Sequence, residues 1–187
     1  MTNAASYLGS STRKVWLSMF HLRALEDAIG AGRREDFFAE PGPDEPFSAI
    51  YAHADGCILQ MFGSLDAFAC AVAWYFGLAP AVERDRYSFG KLTCTAPPVL
   101  VASVARVAGS PHWADLNKFR HHAAHRGVIP ERTRLSVEPA EKPRFLTEEG
   151  ADVLGVLQGL VNWGGGAVRD LQAAVRWWPE GRIALWL

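Results

Sequence analysis

The residues with the clearest capacity for chemistry lie in one short stretch, from Asn117 to Gly127, which holds three of the chain's six histidines and two arginines. Histidine, whose ordinary pKa is about 6.5, can take up or release a proton near neutral pH. The planar guanidinium group of arginine can hold a phosphate and stabilise the negative charge that develops on it. We therefore take Arg120, His121 and His125 as candidate catalytic residues for proton transfer beside a phosphate.

A single helix must position these side chains. Ser110 and Pro111 are typical of an N-cap and a first helical position, and Gly127 with Pro130 is typical of a helix end. On an ideal helix, Arg120 falls on the apolar side, which consists of Trp113, Leu116, Phe119, Ala123 and Ala124. A charge on a packing surface needs a partner, an interface or a polar cleft.

The spacing of Arg120 and His125 sets a geometric problem. Side chains five residues apart on a regular helix diverge by about 140°. They could converge through the length of the arginine side chain, through a distorted last turn, or across a dimer seam, and we favour the dimer. Asn117, Lys118 and Arg126 flank the pair and are candidate substrate-binding residues.

Asp66 is the candidate supporting residue from another element. It lies in an apolar stretch from Phe47 to Phe76, whose three-four periodicity predicts one long helix. One interpretation places the Asp66 carboxylate on the solvent side of this helix. The alternative buries it in a cleft, where it meets a cation from another helix, and Arg120 is the cation that we expect there.

The sequence Arg120-His121-His122-Ala123-Ala124-His125 resembles the arginine-x4–6-histidine motif of the HEPN family. The surrounding pattern is similar too, because a long helix precedes a shorter helix that ends just after the motif. The resemblance implies a compact helical bundle that cleaves RNA without a metal or other cofactor. It also implies a homodimer whose two motifs share one cleft, and a role in toxin–antitoxin or antiviral systems.

Under this resemblance, RNA or a nucleotide is the substrate and an antitoxin protein is a partner. RNA is cut when a 2′-hydroxyl loses its proton and attacks the neighbouring phosphate. His125 would act as general acid or base, Arg120 would hold the scissile phosphate, and His121 would orient the substrate or its partner histidine. Arg106 and His112 match the same spacing, but Gly109 and Pro111 break the helix between them.

Two other functions remain open at this point. His121 and His125 are spaced i, i+4, as in many metal-binding pairs, so a metal-dependent hydrolase is one of them. Its further ligands would have to come from His21, His53 or Asp66. The other is a non-catalytic module that binds a nucleotide or a partner protein.

Composition describes an ordinary soluble globule. The chain has 187 residues, of which 49% are hydrophobic and 21% charged, and its net charge of -1 gives no global attraction to a polyanion. We find no signal peptide and no uninterrupted membrane-spanning run, and the three cysteines form no even framework. These features predict a single cytoplasmic domain over residues 1–187, with 1–12 flexible and no membrane contact.

The predicted fold is all-α, an up-and-down bundle of four main helices. The first runs from Arg13 to Ile29, the second is the Phe47–Phe76 stretch, and the last begins after a Thr147 cap and packs antiparallel to the second. We expect the glycines at 164–166 to kink or divide this last helix.

Smaller elements complete the predicted fold. A mixed loop over Ala79–Ala96, with an extended piece near its end, precedes a short extra helix from Pro97 to Ala108 that Thr95 caps. Arg134–Glu138 alternates like a strand and could form a small two-stranded ribbon with Arg182–Leu187.

Overall fold

The computed structural model of the chain describes residues 2–31, 46–125, 132–134, 144–147 and 149–175. Within these ranges the protein is mostly helical, which confirms the all-α prediction. The helices are α1 (Thr2–Ala31), α2 (Pro46–Phe76), α3 (Ala81–Arg84), α4 (Phe89–Thr95), α5 (Val101–Ala108), α6 (Pro111–His125) and α7 (Val153–Val175). Two short strands, β1 (Arg132–Arg134) and β2 (Arg144–Leu146), lie between α6 and α7.

Helix α1 begins at Thr2, so the prediction that residues 1–12 are flexible is wrong for residues 2–12. Ala4, Leu8 and Ser11 are buried in this first part of the helix. The Ser11 hydroxyl donates a hydrogen bond to the backbone oxygen of Ser64 on α2, at 2.8 Å. The apolar periodicity missed these turns because part of their packing surface is serine.

Helix α2 is continuous over 31 residues, as the periodicity predicts, and packs closely and antiparallel against α1. Gly56 faces His21 and Gly63 faces Lys14, so the lack of a side chain at both glycines leaves room for residues of α1. The segment Ser48–Phe76 has the length and composition of a membrane span, but 72% of its apolar window is buried inside the protein. That burial is expected of the core helix of a soluble protein.

Helix α7 is also continuous, and the prediction that its triple glycine divides it is wrong. Gly164 is buried, and a Cβ atom at this position would overlap the side chain of Met61 on α2. The N-cap is Asp152, whose carboxylate accepts a hydrogen bond from the Gly155 N–H at 2.9 Å. Thr147 therefore does not cap α7; its backbone N–H bonds instead to the Ala151 oxygen.

The direction of α7 follows from its contacts with α1. Gln172 donates hydrogen bonds to the Leu8 oxygen and the Thr12 hydroxyl, whereas Gly165 lies beside Val15. Later residues of α7 thus meet earlier residues of α1, so the two helices are antiparallel. Because α2 is antiparallel to α1 as well, α2 and α7 run in the same general direction, and the antiparallel prediction for this pair is wrong.

The segment predicted as a mixed loop contains helix α4 instead of an extended piece. The Ser88 hydroxyl caps α4 by accepting from the Lys91 N–H, and Phe89 and Leu92 are buried. Thr95 is the last residue of α4 and does not cap the next helix. Because residues 98–100 form a turn, that next helix, α5, begins at Val101 rather than at Pro97.

The small ribbon that the structure describes joins β1 to β2. Strand β1 pairs antiparallel with β2, with Thr133 opposite Phe145. The ring of Phe145 is buried and anchors β2 to the core. The predicted strand Arg134–Glu138 overlaps the described ribbon only at Arg134, and its predicted partner, Arg182–Leu187, lies outside the described residues.

Candidate functional site

Helix α6 begins as its sequence predicts. Pro111 is its first residue, and the Ser110 hydroxyl accepts from the His112 N–H at 3.3 Å. Leu116 is fully buried, and Trp113 and Phe119 pack against the core. The predicted apolar side of the helix therefore does face the protein interior.

Arg120 lies on this inner side, half-buried, and meets α2. Its guanidinium carbon is 4.4 Å from the centroid of the Phe62 ring, a cation–π arrangement. Phe62 is buried and stacks on Trp113, with centroids 5.5 Å apart and planes at 17°. Trp113 in turn meets the Phe89 ring edge-on at 5.1 Å. Arg120 thus closes one end of an aromatic stack that joins α2, α4 and α6.

Asp66 lies one turn after Phe62 on α2 and is half-buried, so the solvent-facing interpretation is wrong. Its carboxylate accepts a hydrogen bond from the Phe89 N–H at 2.8 Å, at the first turn of α4. Burial raises the pKa of Asp66 above its ordinary value. The Phe89 hydrogen bond and the positive charges of Arg120 and Lys14 oppose that rise, in this order.

Asp66 and Arg120 interact through space rather than through a direct hydrogen bond. The guanidinium carbon lies over the face of the Phe62 ring, so the fold holds the charged end of the side chain at this position. Among the residues that the structure describes, none accepts a hydrogen bond from Arg120. The guanidinium is therefore oriented by the fold while its donors stay available for a ligand.

Three of the other predicted site residues lie on the outside of α6. His121 and Asn117 are exposed. Lys118 is exposed as well and pairs with Glu149, and their hydrogen bond lowers the pKa of Glu149. Because Glu149 partly compensates the charge of Lys118, this lysine attracts a negatively charged substrate less strongly than the sequence suggests.

The described part of the structure contains no contact between Arg120 and His125. His125 is the last residue of α6 in backbone terms, and its side chain and the whole of Arg126 lie outside the described part. Arg120 faces α2, whereas the neighbouring His121 faces outward. Among the described side chains, the inner group is thus Arg120, Asp66 and Phe62.

The alternative arginine–histidine pair has separate contacts. Arg106 on α5 forms an exposed ion pair with Asp170 on α7, at 3.6 Å. His112, on α6, packs against the Trp163 ring with centroids 5.7 Å apart. These two residues lie on different helices with different partners.

Phe62 and Lys14 are contributors to the site that the sequence did not reveal. Phe62 precedes Asp66 by four residues, and this helical spacing predicts a shared face on α2. This spacing does not indicate which helix packs against that face of α2. Lys14 comes from α1, and nothing in its sequence neighbourhood indicates contact with Asp66.

Within the described ranges, no group of three or more histidine, cysteine, aspartate or glutamate side chains is placed to hold a metal ion. Comparisons of the chain with protein families, with curated proteins and with solved structures find no match. The candidate function therefore depends on the chemistry of the Arg120 site and on the sequence motif.

Proposed function

We propose that the chain is a HEPN-like endoribonuclease that works without a metal ion, with His125 as general acid or base and Arg120 holding the scissile phosphate. The observation that carries the proposal is the Arg120 guanidinium, which is stacked on Phe62 while its donors remain uncommitted among the described residues. A guanidinium fixed in this way loses little freedom when a phosphate binds, and such preorganised donors stabilise developing charge well.

The arrangement of the main helices supports the same proposal. Helix α1 runs antiparallel to both α2 and α7, so α2 and α7 share one direction, as the second and fourth helices of an up-and-down bundle do. The motif helix α6 packs on the long helix α2 through Phe62, Trp113 and Arg120. We propose the four-helix HEPN-like architecture on this basis, together with the cytoplasmic location and the toxin or defence role that the resemblance implies.

The homodimer remains part of the proposal, but one of the sequence arguments for it no longer applies. Arg120 has intramolecular neighbours in Phe62 and Asp66, so its place on a packing face no longer calls for a second chain. A second copy is required only to bring another His125 to the outer edge of the site. Light scattering at micromolar concentration tests this assembly, and a purely monomeric active enzyme contradicts it.

A non-catalytic binding module is the second candidate, and one observation favours it. The Asp66 carboxyl group interacts electrostatically with Arg120, and Glu149 forms an ion pair with Lys118. The positive charges of Arg120 and Lys118 are therefore partly compensated. A module of this kind would bind RNA, a nucleotide or an antitoxin protein without cleaving it. The metal-dependent hydrolase has no comparable support among the described side chains.

Incubation of purified protein with RNA, with and without excess EDTA, tests the proposal. We expect cleavage that survives EDTA and leaves a cyclic phosphate, because the internal 2′-hydroxyl is the nucleophile. His125→Ala should reduce the rate by about 10²–10⁴-fold. Arg120→Lys should also fail, because a point charge does not reproduce the planar fork.

The alternative pair provides matched controls for both substitutions. His112→Ala and Arg106→Lys change the same residue types outside the motif and should leave cleavage intact. Loss of cleavage in EDTA would favour the metal-dependent reading. Wild-type protein that binds RNA and leaves it whole would favour the binding module.

A further inference from the structure

A second pair of histidines lies where α1 and α2 pack together, nearer the start of α2 than the Arg120 site. The Nδ1 atoms of His21 and His53 are 3.1 Å apart, and the ring centroids are 5.4 Å apart. Phe20 meets both rings edge-on. Both histidines are half-buried, so the converging nitrogens are held by the fold and still partly open to solvent.

The backbone of α2 makes room for this pair. A Cβ atom at Gly56 would lie 2.8 Å from two atoms of the His21 ring, so a larger residue would push that ring away. A neutral imidazole keeps a lone pair on one ring nitrogen, and this lone pair can bind a ligand.

We propose that His21 and His53 form a two-histidine site for a borderline divalent transition-metal ion such as Zn²⁺, which ties α1 to α2. Imidazole is a preferred ligand for such ions. Two nitrogens bound at about 2.0–2.1 Å to one tetrahedral zinc lie about 3.3 Å apart, close to the observed separation. Among the described residues, no third histidine, cysteine, aspartate or glutamate joins the pair, so the remaining coordination positions belong to water or to an external ligand.

A hydrogen bond between two neutral imidazoles is the competing explanation of the same contact. It requires a proton on one Nδ1 atom, whereas the metal requires lone pairs on both. The two explanations differ in what zinc does: it stabilises the fold in one case and leaves it unchanged in the other. Neither depends on the proposed ribonuclease activity.

Zinc titration of untagged protein, followed by calorimetry and by thermal unfolding, tests the site. The Cys94→Ser background removes an exposed thiol that could bind zinc on its own. We expect one zinc ion per chain, a raised Tm, and no comparable effect of Mg²⁺, which prefers oxygen ligands. His21→Phe and His53→Phe keep a ring at each position and should each weaken binding more than about tenfold, since even outer-shell changes act on that scale.

His121→Ala is the matched control, because His121 belongs to the other histidine pair of suitable spacing. Zinc binding that survives His121→Ala and is lost in His21→Phe supports the site. The reverse pattern moves zinc to α6 and overturns the proposal. Wild-type protein whose Tm does not respond to zinc overturns it too, whatever the variants do, and leaves the pair as a hydrogen bond alone.

Discussion

The guanidinium carbon of Arg120 lies 4.4 Å from the centroid of the Phe62 ring, and this contact decides how the candidate site can work. A cation over a buried aromatic ring is held in place by that contact, and its N–H groups remain available to hydrogen-bond acceptors. Asp66, one turn further along α2, adds a negative charge on the same side. The site is thus an oriented arginine with an acidic neighbour, built between α2 and α6.

A double-mutant cycle should measure this contact as a coupling in stability. We expect Phe62→Leu and Arg120→Met to be coupled by about 0.5–2 kcal/mol in urea unfolding, the range of cation–π pairs from exposed to desolvated. The control cycle combines Phe62→Leu with Arg106→Met, whose side chain pairs with Asp170 instead. Those two changes should add within about 0.5 kcal/mol. Additivity in both cycles would mean that the stack does not stabilise the fold.

Asp66 offers a second prediction, because its charge and its hydrogen bond with the Phe89 N–H can be removed separately. Its pKa is raised in the folded state above the ordinary value of 3.8, so its contribution to stability is complete below about pH 3.8 and is lost as the pH rises through the folded value. Asp66→Asn removes the charge and keeps an oxygen for the Phe89 N–H, so stability at pH 7 should be equal or higher. Asp66→Ala removes that acceptor and should lose about 1–3 kcal/mol. Urea unfolding of both variants at pH 7 checks this order, and a larger loss in Asp66→Asn contradicts it.

The fold was predictable where burial is apolar and local signals are strong. Helix α2 follows from its periodicity, and the start of α6 follows from Ser110 and Pro111. The first turns of α1 were missed because Ser11 is buried and satisfied by the Ser64 oxygen on another helix. Apolar periodicity does not predict a contact of this kind, because a serine hydroxyl can be buried only where another helix supplies its hydrogen-bond partner.

The site was predictable in part for a similar reason. Helical geometry placed Arg120 on the apolar side of α6, because that depends only on position along one helix. Its stack on Phe62 depends on how α2 and α6 are set against each other, which no local pattern contains. The role of glycine at position 164 of α7 also depends on a neighbouring helix, since a Cβ atom there would overlap Met61.

The glycines of α7 therefore give a matched pair of substitutions. Gly166→Ala meets nothing within 4 Å and should stabilise the protein by up to about 1 kcal/mol, the helix-propensity difference. Gly164→Ala would overlap Met61, and overpacking of about 1–3 kcal/mol should cancel or exceed that gain. Urea unfolding measures both. Equal stabilisation by the two substitutions would show that the contact between α7 and α2 at Gly164 is looser than described.

The histidine pair predicts how stability responds to pH in metal-free protein. The pKa of His21 is lowered in the folded state, by burial first and by His53 second, so the unfolded chain binds that proton more tightly. Its contribution to stability is complete above the ordinary value of 6.5 and is lost as the pH falls through 6.5 towards the folded value. His21→Phe should therefore flatten the fall in urea stability between about pH 7.5 and 5. Equal slopes in wild type and His21→Phe would contradict the lowered pKa of His21.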